Sequence, residues 1–568
     1  MKYLSKKFAT PIMVAGLATI GLSACNQATD NTAPEAAQAS YPQVNENNIK
    51  AHIAFLADDT LEGRDTGSNG YQIAANYVTS YFKQYGLTPM GEHGGFEQEV
   101  TFRKAQLVEN SPAMTISAPS GQHTVAFKEQ FLASGSALEV DSSVSAETVF
   151  VGYGVVDKAF GLDDYAGLDV NGKIVVMLTG RPDSLPSEEG AHIGSSREKA
   201  RHAAERGAVG IVTIHTPKRE GVRKFTVSAK YSDSPSYSWL DNNGQPFGRY
   251  PELKGGAYID RDAAAPLFEG AEMSLAQVFT ADTENQAIKG FALNASVTLS
   301  KQSTQSEITS PNIVAAIEGS DPTLKNEYVV FSAHLDHIGV KAHSAHGDEG
   351  QDNEEQDTIN NGALDNASGV SILLETARMI ASMETKPQRS ILFVVVTGEE
   401  KGLLGSSYFA TNPTVPAMQM VANVNLDMPL ILYPFADVIA FGSTHSTLGG
   451  IVEAAAGKLD VSLSPDPLPE QALFTRSDHY SFVKAGIPSV FLMTGFKSKD
   501  PEIDGGKMFM EFLSTHYHNH SDEIDLPIRY DAAASFAEVN MMIGLEIANQ
   551  AERPKWHDGD FFGKTFAQ

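Results

Sequence analysis

The chain has 568 residues, 42% of them hydrophobic and 20% charged, which is the balance of a folded protein too long for a single core. Seventy acids against 42 Lys and Arg give a net charge of −28, a surface that repels nucleic acid and anionic lipid. Cys25 is the sole cysteine, so no internal disulfide is available and stability must come from burial and from bound ions.

In chain order, Lys2, Lys6 and Lys7 precede an apolar run over 12–22 that is too short to span a bilayer comfortably and reads as a secretory signal, 1–24. It ends in Leu22-Ser23-Ala24-Cys25, which resembles a bacterial lipobox; that resemblance implies lipidation of Cys25. Asn26, in the position that directs sorting, implies a cell-envelope location at the outer membrane facing the periplasm, with the lipid as the only membrane attachment. Residues 25–43 read as a flexible tether. Within 44–104, Ile73, Ala74, Tyr77, Val78, Tyr81, Phe82 and Tyr85 predict an amphipathic helix closed by Gly86. Just before it, Leu61-Glu62-Gly63-Arg64-Asp65-Thr66-Gly67 is rich in turn formers.

Over 105–303 the pattern becomes short β-like runs with a helical stretch between Lys199 and Gly207, and none of these runs ends in metal-binding side chains. This predicts a separate β-rich domain without chemistry of its own. Over 304–555 strands and helices alternate, predicting an α/β fold with a mainly parallel mixed sheet flanked by helices, followed by a tail at 556–568.

Three β-rich runs in this last region end in imidazoles or carboxylates. Tyr328-Val329-Val330-Phe331 leads to His334 and Asp336, Ile391-Leu392-Phe393-Val394-Val395-Val396 to Glu399 and Glu400, and Val421-Ala422-Asn423-Val424 to Asp427. Ligands of open α/β sheets collect beyond such carboxyl ends. With Asp365 and His518 these residues supply the inventory of a two-metal hydrolytic site: a bridging acid, two further ligands per metal and a base. Neighbours leaving a strand point in different directions, so one of Glu399 and Glu400 can ligate while the other faces water. Asp336, two residues after His334, is expected to accept the imidazole's second N–H and fix its tautomer.

The motifs His334-Leu335-Asp336-His337-Ile338-Gly339, Asn361-Gly362-Ala363-Leu364-Asp365-Asn366-Ala367-Ser368-Gly369, Thr397-Gly398-Glu399-Glu400-Lys401-Gly402, Asn425-Leu426-Asp427 and Tyr517-His518 resemble, in that order, the M28 family of co-catalytic zinc aminopeptidases. The resemblance implies two Zn²⁺ per chain. One would be held by His334, Asp365 and Asp427, the other by Asp365, Glu400 and His518, with Asp365 bridging and Glu399 as general base. Mn²⁺ and Co²⁺ suit the same donors. Region 105–303 resembles the protease-associated (PA) domain that many members carry as an insertion. Arg476-Ser477-Asp478-His479-Tyr480 resembles a family segment near the substrate cleft. One departure is Tyr517-His518-Asn519-His520-Ser521-Asp522, where relatives usually have Tyr-His-Thr-Pro, so His520 rivals His518 as a ligand. His337 reads as a satisfied neighbour. The stretch 343–357, with six acids and two histidines, reads as a solvated loop at the cleft rim in preference to a calcium or third-metal site.

The function implied is hydrolysis of N-terminal residues from peptides through a water activated by Glu399. Alternatives are a carboxypeptidase or dipeptidase of the same family, a one-zinc glutaminyl cyclase, and a non-catalytic binding protein of the transferrin-receptor type. The complete pair of metal triads argues against the last two.

Overall fold

The computed structural model describes residues 41–340 and 357–567. The predicted signal, Cys25, nearly all of the tether and the acidic stretch up to 356 lie outside the described residues.

Seven strands carry the site: β1 (Glu97–Leu107), β2 (Phe291–Ile317), β3 (Tyr328–His334), β4 (Ser390–Val396), β5 (Met420–Leu426), β6 (Asp437–Phe441) and β7 (Ser489–Thr494). They pair in the order β1-β2-β4-β3-β5-β7-β6. The middle four run parallel and the flanking strands antiparallel, which is the mixed sheet expected. Why the strands read as unbroken apolar runs follows from their covering on both faces. Val329, Phe331, Ala333, Ile391, Phe393 and Val395 enter one hydrophobic cluster, while the alternating Val330, Leu392, Val394 and Val396 enter another. Helices α1 (Glu46–Leu56), α2 (Asn69–Gln84), α3 (Ser368–Ser382) and α6 (Tyr530–Asn549) contribute to the first cluster; α4 (Leu404–Thr411) and α5 (His479–Lys484) contribute Phe409 and Phe482 to the second. Each such side chain, fully withdrawn from water, stabilises the fold by roughly 1.5–3 kcal/mol. On α6 the close approach requires glycine, because a Cβ on Gly544 would lie 2.4 Å from the Phe331 ring.

The helix predicted from Ile73 to Tyr85 is α2, with Gly86 in the left-handed region after it. Its buried face differs from the pattern: Tyr71, Ala74, Ala75, Val78 and Phe82 are buried and Ile73 is 45% exposed. The stripe continues as an aromatic ladder, because Tyr77 stacks on Phe55 of α1 at 3.9 Å and Tyr81 meets His52 at 4.5 Å.

β2 is 27 residues long, several times an ordinary strand, and belongs to two sheets. From Ser303 onward it pairs with β1 and β4, and up to Gln302 it pairs with Asp141–Phe150 and Ala113–Ala118. The second sheet continues through Ile174–Leu178, Gly210–Ile214 and Gly255–Ile259, around its own core of Phe150, Ile174, Val176, Val212 and Val297.

Residues 556–567 pack against the rest of the chain. Phe562 is buried, and Asp560 accepts at 2.6 Å from Nδ1 of His445, whose Nε2 lies 2.7 Å from Glu188 of the 105–303 region. Burial opposes the imidazolium, but Glu188 and Asp560 prevail and push the His445 pKa up to about 9. A raised histidine contributes stability that is fully present below its unfolded value near 6.5 and lost as pH rises through about 9. The variant His445→Gln is therefore expected to lose about 3 kcal/mol at pH 6, leaving two largely buried carboxylates without their cation. Between pH 6.5 and 9, Tm should fall more steeply for the native chain than for the variant, a comparison that thermal denaturation provides directly.

Candidate metal centre

His334 ends β3, Glu399 and Glu400 follow β4, and Asp427 follows β5, so three neighbouring parallel strands deliver their polar residues to one edge. Asp365 arrives on the irregular turn before α3, and His518 on the loop after the helix Gly505–Thr515. Six of the seven residues singled out in the sequence enter two overlapping clusters or flank them. His334 Nε2 lies 3.3 Å from Asp365 Oδ1 and 3.1 Å from Asp427 Oδ1. His518 Nε2 lies 3.3 Å from Asp365 Oδ2 and 3.1 Å from Glu400 Oε2. The two oxygens of Asp365 thus face different imidazoles, which is the placement a bridging carboxylate needs. Donors bound about 2.0–2.2 Å from one zinc ion lie roughly 3 Å from each other, as these do.

The electrostatics are those of a site built for cations. Burial penalises every charge here. It would lower His334, yet Asp427, Glu399 and hydrogen bonds to Asp365 and Asp427 raise it well above its usual value. Burial likewise opposes His518, which Glu400 and Asp365 raise to about 9. Against burial and mutual repulsion, the imidazoles hold Asp365 and Glu400 well below the carboxylate range. Glu399 differs: burial, with repulsion from Asp427, Glu400 and Asp478, raises it well above that range despite His334.

Asp336 corrects the sequence expectation. The backbone carbonyl of Asp336, 3.0 Å from His334 Nδ1, takes the role expected of its carboxylate. The chain turns after β3, and the carboxylate instead accepts the backbone N–H groups of Glu399 and Glu400 at 3.1 and 3.3 Å and the Thr66 hydroxyl at 3.0 Å. It sets the turn that separates the two glutamates. His337, read as a satisfied neighbour, is fully buried with Nδ1 2.7 Å from Glu400 Oε1 and Nε2 without a hydrogen-bond partner, and it forms a donor cluster with Asp365 and Glu400. His520 joins neither cluster among the described residues.

Several supports were not singled out from the sequence. Asn423 Nδ2 donates to Ser332 Oγ, Ser332 to Asn425 Oδ1, Asn425 Nδ2 to Ser477 Oγ, and Ser477 to Asp427 Oδ2, a directional chain that fixes one ligand. Asp522 accepts from the backbone N–H of Leu364 and Asp365 at 2.9 and 3.0 Å. Asn366 donates to the Leu426 carbonyl and accepts from Gly369 and Met428, tying the Asp365 turn to the end of β5. Polar residues inside strands β3 and β5, at Ser332, Asn423 and Asn425, were the available signal, since buried strand interiors carry such groups only when they are satisfied.

Residues 312–544 match Peptidase family M28. The matched segment covers β3 to β7 and every residue of the two clusters. Among curated relatives, a probable zinc metalloprotease of Pyrenophora tritici-repentis (strain Pt-1C-BFP) is 34% identical over 116 residues, 20% of this chain and 23% of that protein. Aminopeptidase YwaD of Bacillus subtilis (strain 168) is 31% identical over 169 residues, 29% of this chain and 33% of that protein. The matches therefore span about a quarter to a third of these relatives. The fold extends further: an aminopeptidase from Aneurinibacillus sp. strain AM-1 superposes with a TM-score of 0.51 at 19% identity, over 90% of this chain and 96% of that one.

Replacing His518 with Ala is expected to remove much of the bound zinc, whereas His520→Ala should leave it unchanged; elemental analysis of dialysed protein separates them. Ser477→Ala, which removes the donor to Asp427, should weaken zinc binding by about tenfold or more in a competition titration.

Proposed function

We propose that the chain is a zinc-dependent metallo-aminopeptidase that hydrolyses N-terminal residues from peptides. The observation that carries this reading is the division of Asp365 between two donor sets, with Glu399 beside them and its carboxyl in no hydrogen bond among the described residues. The donor set fits zinc: imidazole and carboxylate, withdrawn from water, at the right mutual spacing, with Nε2 of buried His337 without a hydrogen-bond partner among the described residues. His334, Asp365 and Asp427 would hold one ion, and Asp365, Glu400 and His518 the other. When bound, zinc supplies a Lewis acid that polarises the scissile carbonyl and acidifies water.

The rest of the work falls to the protein. Glu399, beside both donor sets with its carboxyl in no hydrogen bond among the described residues, is suited to take a proton from the attacking water and return it to the leaving amine. The backbone hydrogen bonds to Asp336 hold Glu399 and Glu400 in their separate orientations. Tyr517 stacks on His518 at 3.9 Å and limits its rotation. The activities for which the relatives are named, aminopeptidase and zinc metalloprotease, support the same chemistry. The second sheet is the PA-like insertion of this reading, and the lipobox-like Leu22-Ser23-Ala24-Cys25 supports a lipid-anchored protein in the cell envelope.

One observation favours a carboxypeptidase or dipeptidase reading. Arg219 and Arg223, on the helix Pro217–Val222 and its C-cap, and Arg476 form no ion pair with a carboxylate among the described residues. Burial lowers Arg219, and repulsion from the other two adds to it, so the three lie close together. Such a cationic rim suits a substrate carboxylate. A panel of peptides blocked at either end, given to protein beginning after Cys25 and loaded with zinc, tests both readings. Cleavage confined to free N-termini, reduced about a thousandfold in Glu399→Ala, is the expected result. Cleavage that instead requires a free C-terminus would replace the aminopeptidase reading with the second.

A further inference from the structure

His337 is the residue whose surroundings are least explained by its being an ordinary core histidine. A buried imidazole is normally satisfied on its nitrogens, yet Nε2 of His337 has no hydrogen-bond partner among the described residues. Nδ1 lies 2.7 Å from Glu400 Oε1 and pairs with it alone. An imidazole and a carboxylate therefore face one another inside the protein, next to Asp365, within the reach of one ion. The other oxygen of Glu400 is the one that meets His518, so the carboxylate has an imidazole on either side. The rings of His337 and His518 meet edge to face at 5.7 Å.

The backbone is arranged to keep His337 there. Its N–H donates to the Arg64 carbonyl at 3.2 Å, and it forms a bridge with Asp65 in the turn-rich segment. Arg64 is wholly buried and donates to the carbonyls of Leu335, Asn361 and Gly362, binding the loops on both sides of the ring. Gly362, in the left-handed region at φ +58°, provides the space: a Cβ there would stand 2.7 Å from ring carbons of His337.

Resting on the two-metal reading above, we propose that His337 is a metal ligand, so that one ion is held by His337, Asp365, Glu400 and His518 and the other by His334, Asp365 and Asp427. The centre is then asymmetric. Four protein donors fill the preferred coordination of zinc, whereas three leave a position open. The ion beside His337 is the tightly held one, and exchange of water and substrate concentrates at the ion beside His334.

The test is metal binding, independent of turnover. In the zinc-loaded native chain, X-ray absorption spectroscopy is expected to count three imidazoles per two zinc ions, and equilibrium dialysis to resolve a tight and a weaker site. His337→Asn and His337→Ser should each weaken the tight site by at least tenfold, leave the weaker one in place and lower the count to two; an unchanged Tm of the metal-free variants shows that they fold. A count of two in the native chain, or unaltered tight binding in folded His337→Asn, overturns the assignment of His337 while leaving the two-metal centre standing. A native chain that binds no zinc, with His518→Ala indistinguishable from it, overturns the underlying reading as well.

Discussion

The constraint that governs this structure is an excess of buried negative charge at one edge of a parallel sheet. Asp336, Asp365, Glu399, Glu400, Asp427, Asp478 and Asp522 converge there, the aspartates buried and the two glutamates partly so. Two like charges 4 Å apart repel by about 4 kcal/mol at an effective dielectric constant of 20. The protein relieves this in part by raising some of them: burial and neighbouring acids push Asp336 to about 6, and Asp478 and Asp522 to about 7. Arg64 and Lys401 and the histidines supply the remaining compensation from the protein. Divalent cations would complete it, which makes ion binding and stability one quantity in this fold.

A cluster under such repulsion stays in place only if the surrounding backbone is fixed, and the loops at the strand ends show how. Asn366, Asp522 and Arg64 each join segments that are distant in sequence: the Asp365 turn to β5, the post-His518 loop to the Asp365 turn, and the Leu61–Gly67 segment to the loops after β3 and before α3. Met428 and His518 occupy the left-handed region at φ +44° and +56°, a conformation that side chains adopt at a cost of order 1–3 kcal/mol. Both are at the site, so the strain coincides with the groups it orients. The Asn423-Ser332-Asn425-Ser477 chain carries the same logic into the sheet interior, where it displaces apolar packing to hold one carboxylate.

The sequence made the parallel strands and most of the donors legible because both signals are local: unbroken apolar runs and an acid or imidazole just beyond them. What was not legible depends on contacts between distant segments. Asp336 was expected to serve His334 because they are two residues apart, but the chain turns, and its carboxylate meets the Glu399–Glu400 turn, over sixty residues away. His337 reads as an ordinary neighbour in the sequence, since nothing local reveals that its ring is brought against Glu400, over sixty residues away. The double membership of β2 was hidden for the same reason, as a strand's pairing partners leave no mark on its own alternation.

That shared strand bears on how the two sheets act together. Because β2 runs from one into the other without a linker, the second sheet is positioned by backbone hydrogen bonds on the same rigid element that borders β4. Tyr231, at the end of the helix Phe225–Lys230, is close enough to the centre for Glu400 to join burial in raising its phenol, against the nearby Arg223. On the reading proposed above, the ammonium of a peptide would be drawn to the carboxylates and its carboxylate to Arg219 and Arg223, groups of opposite sign that would orient it before any side-chain pocket is engaged.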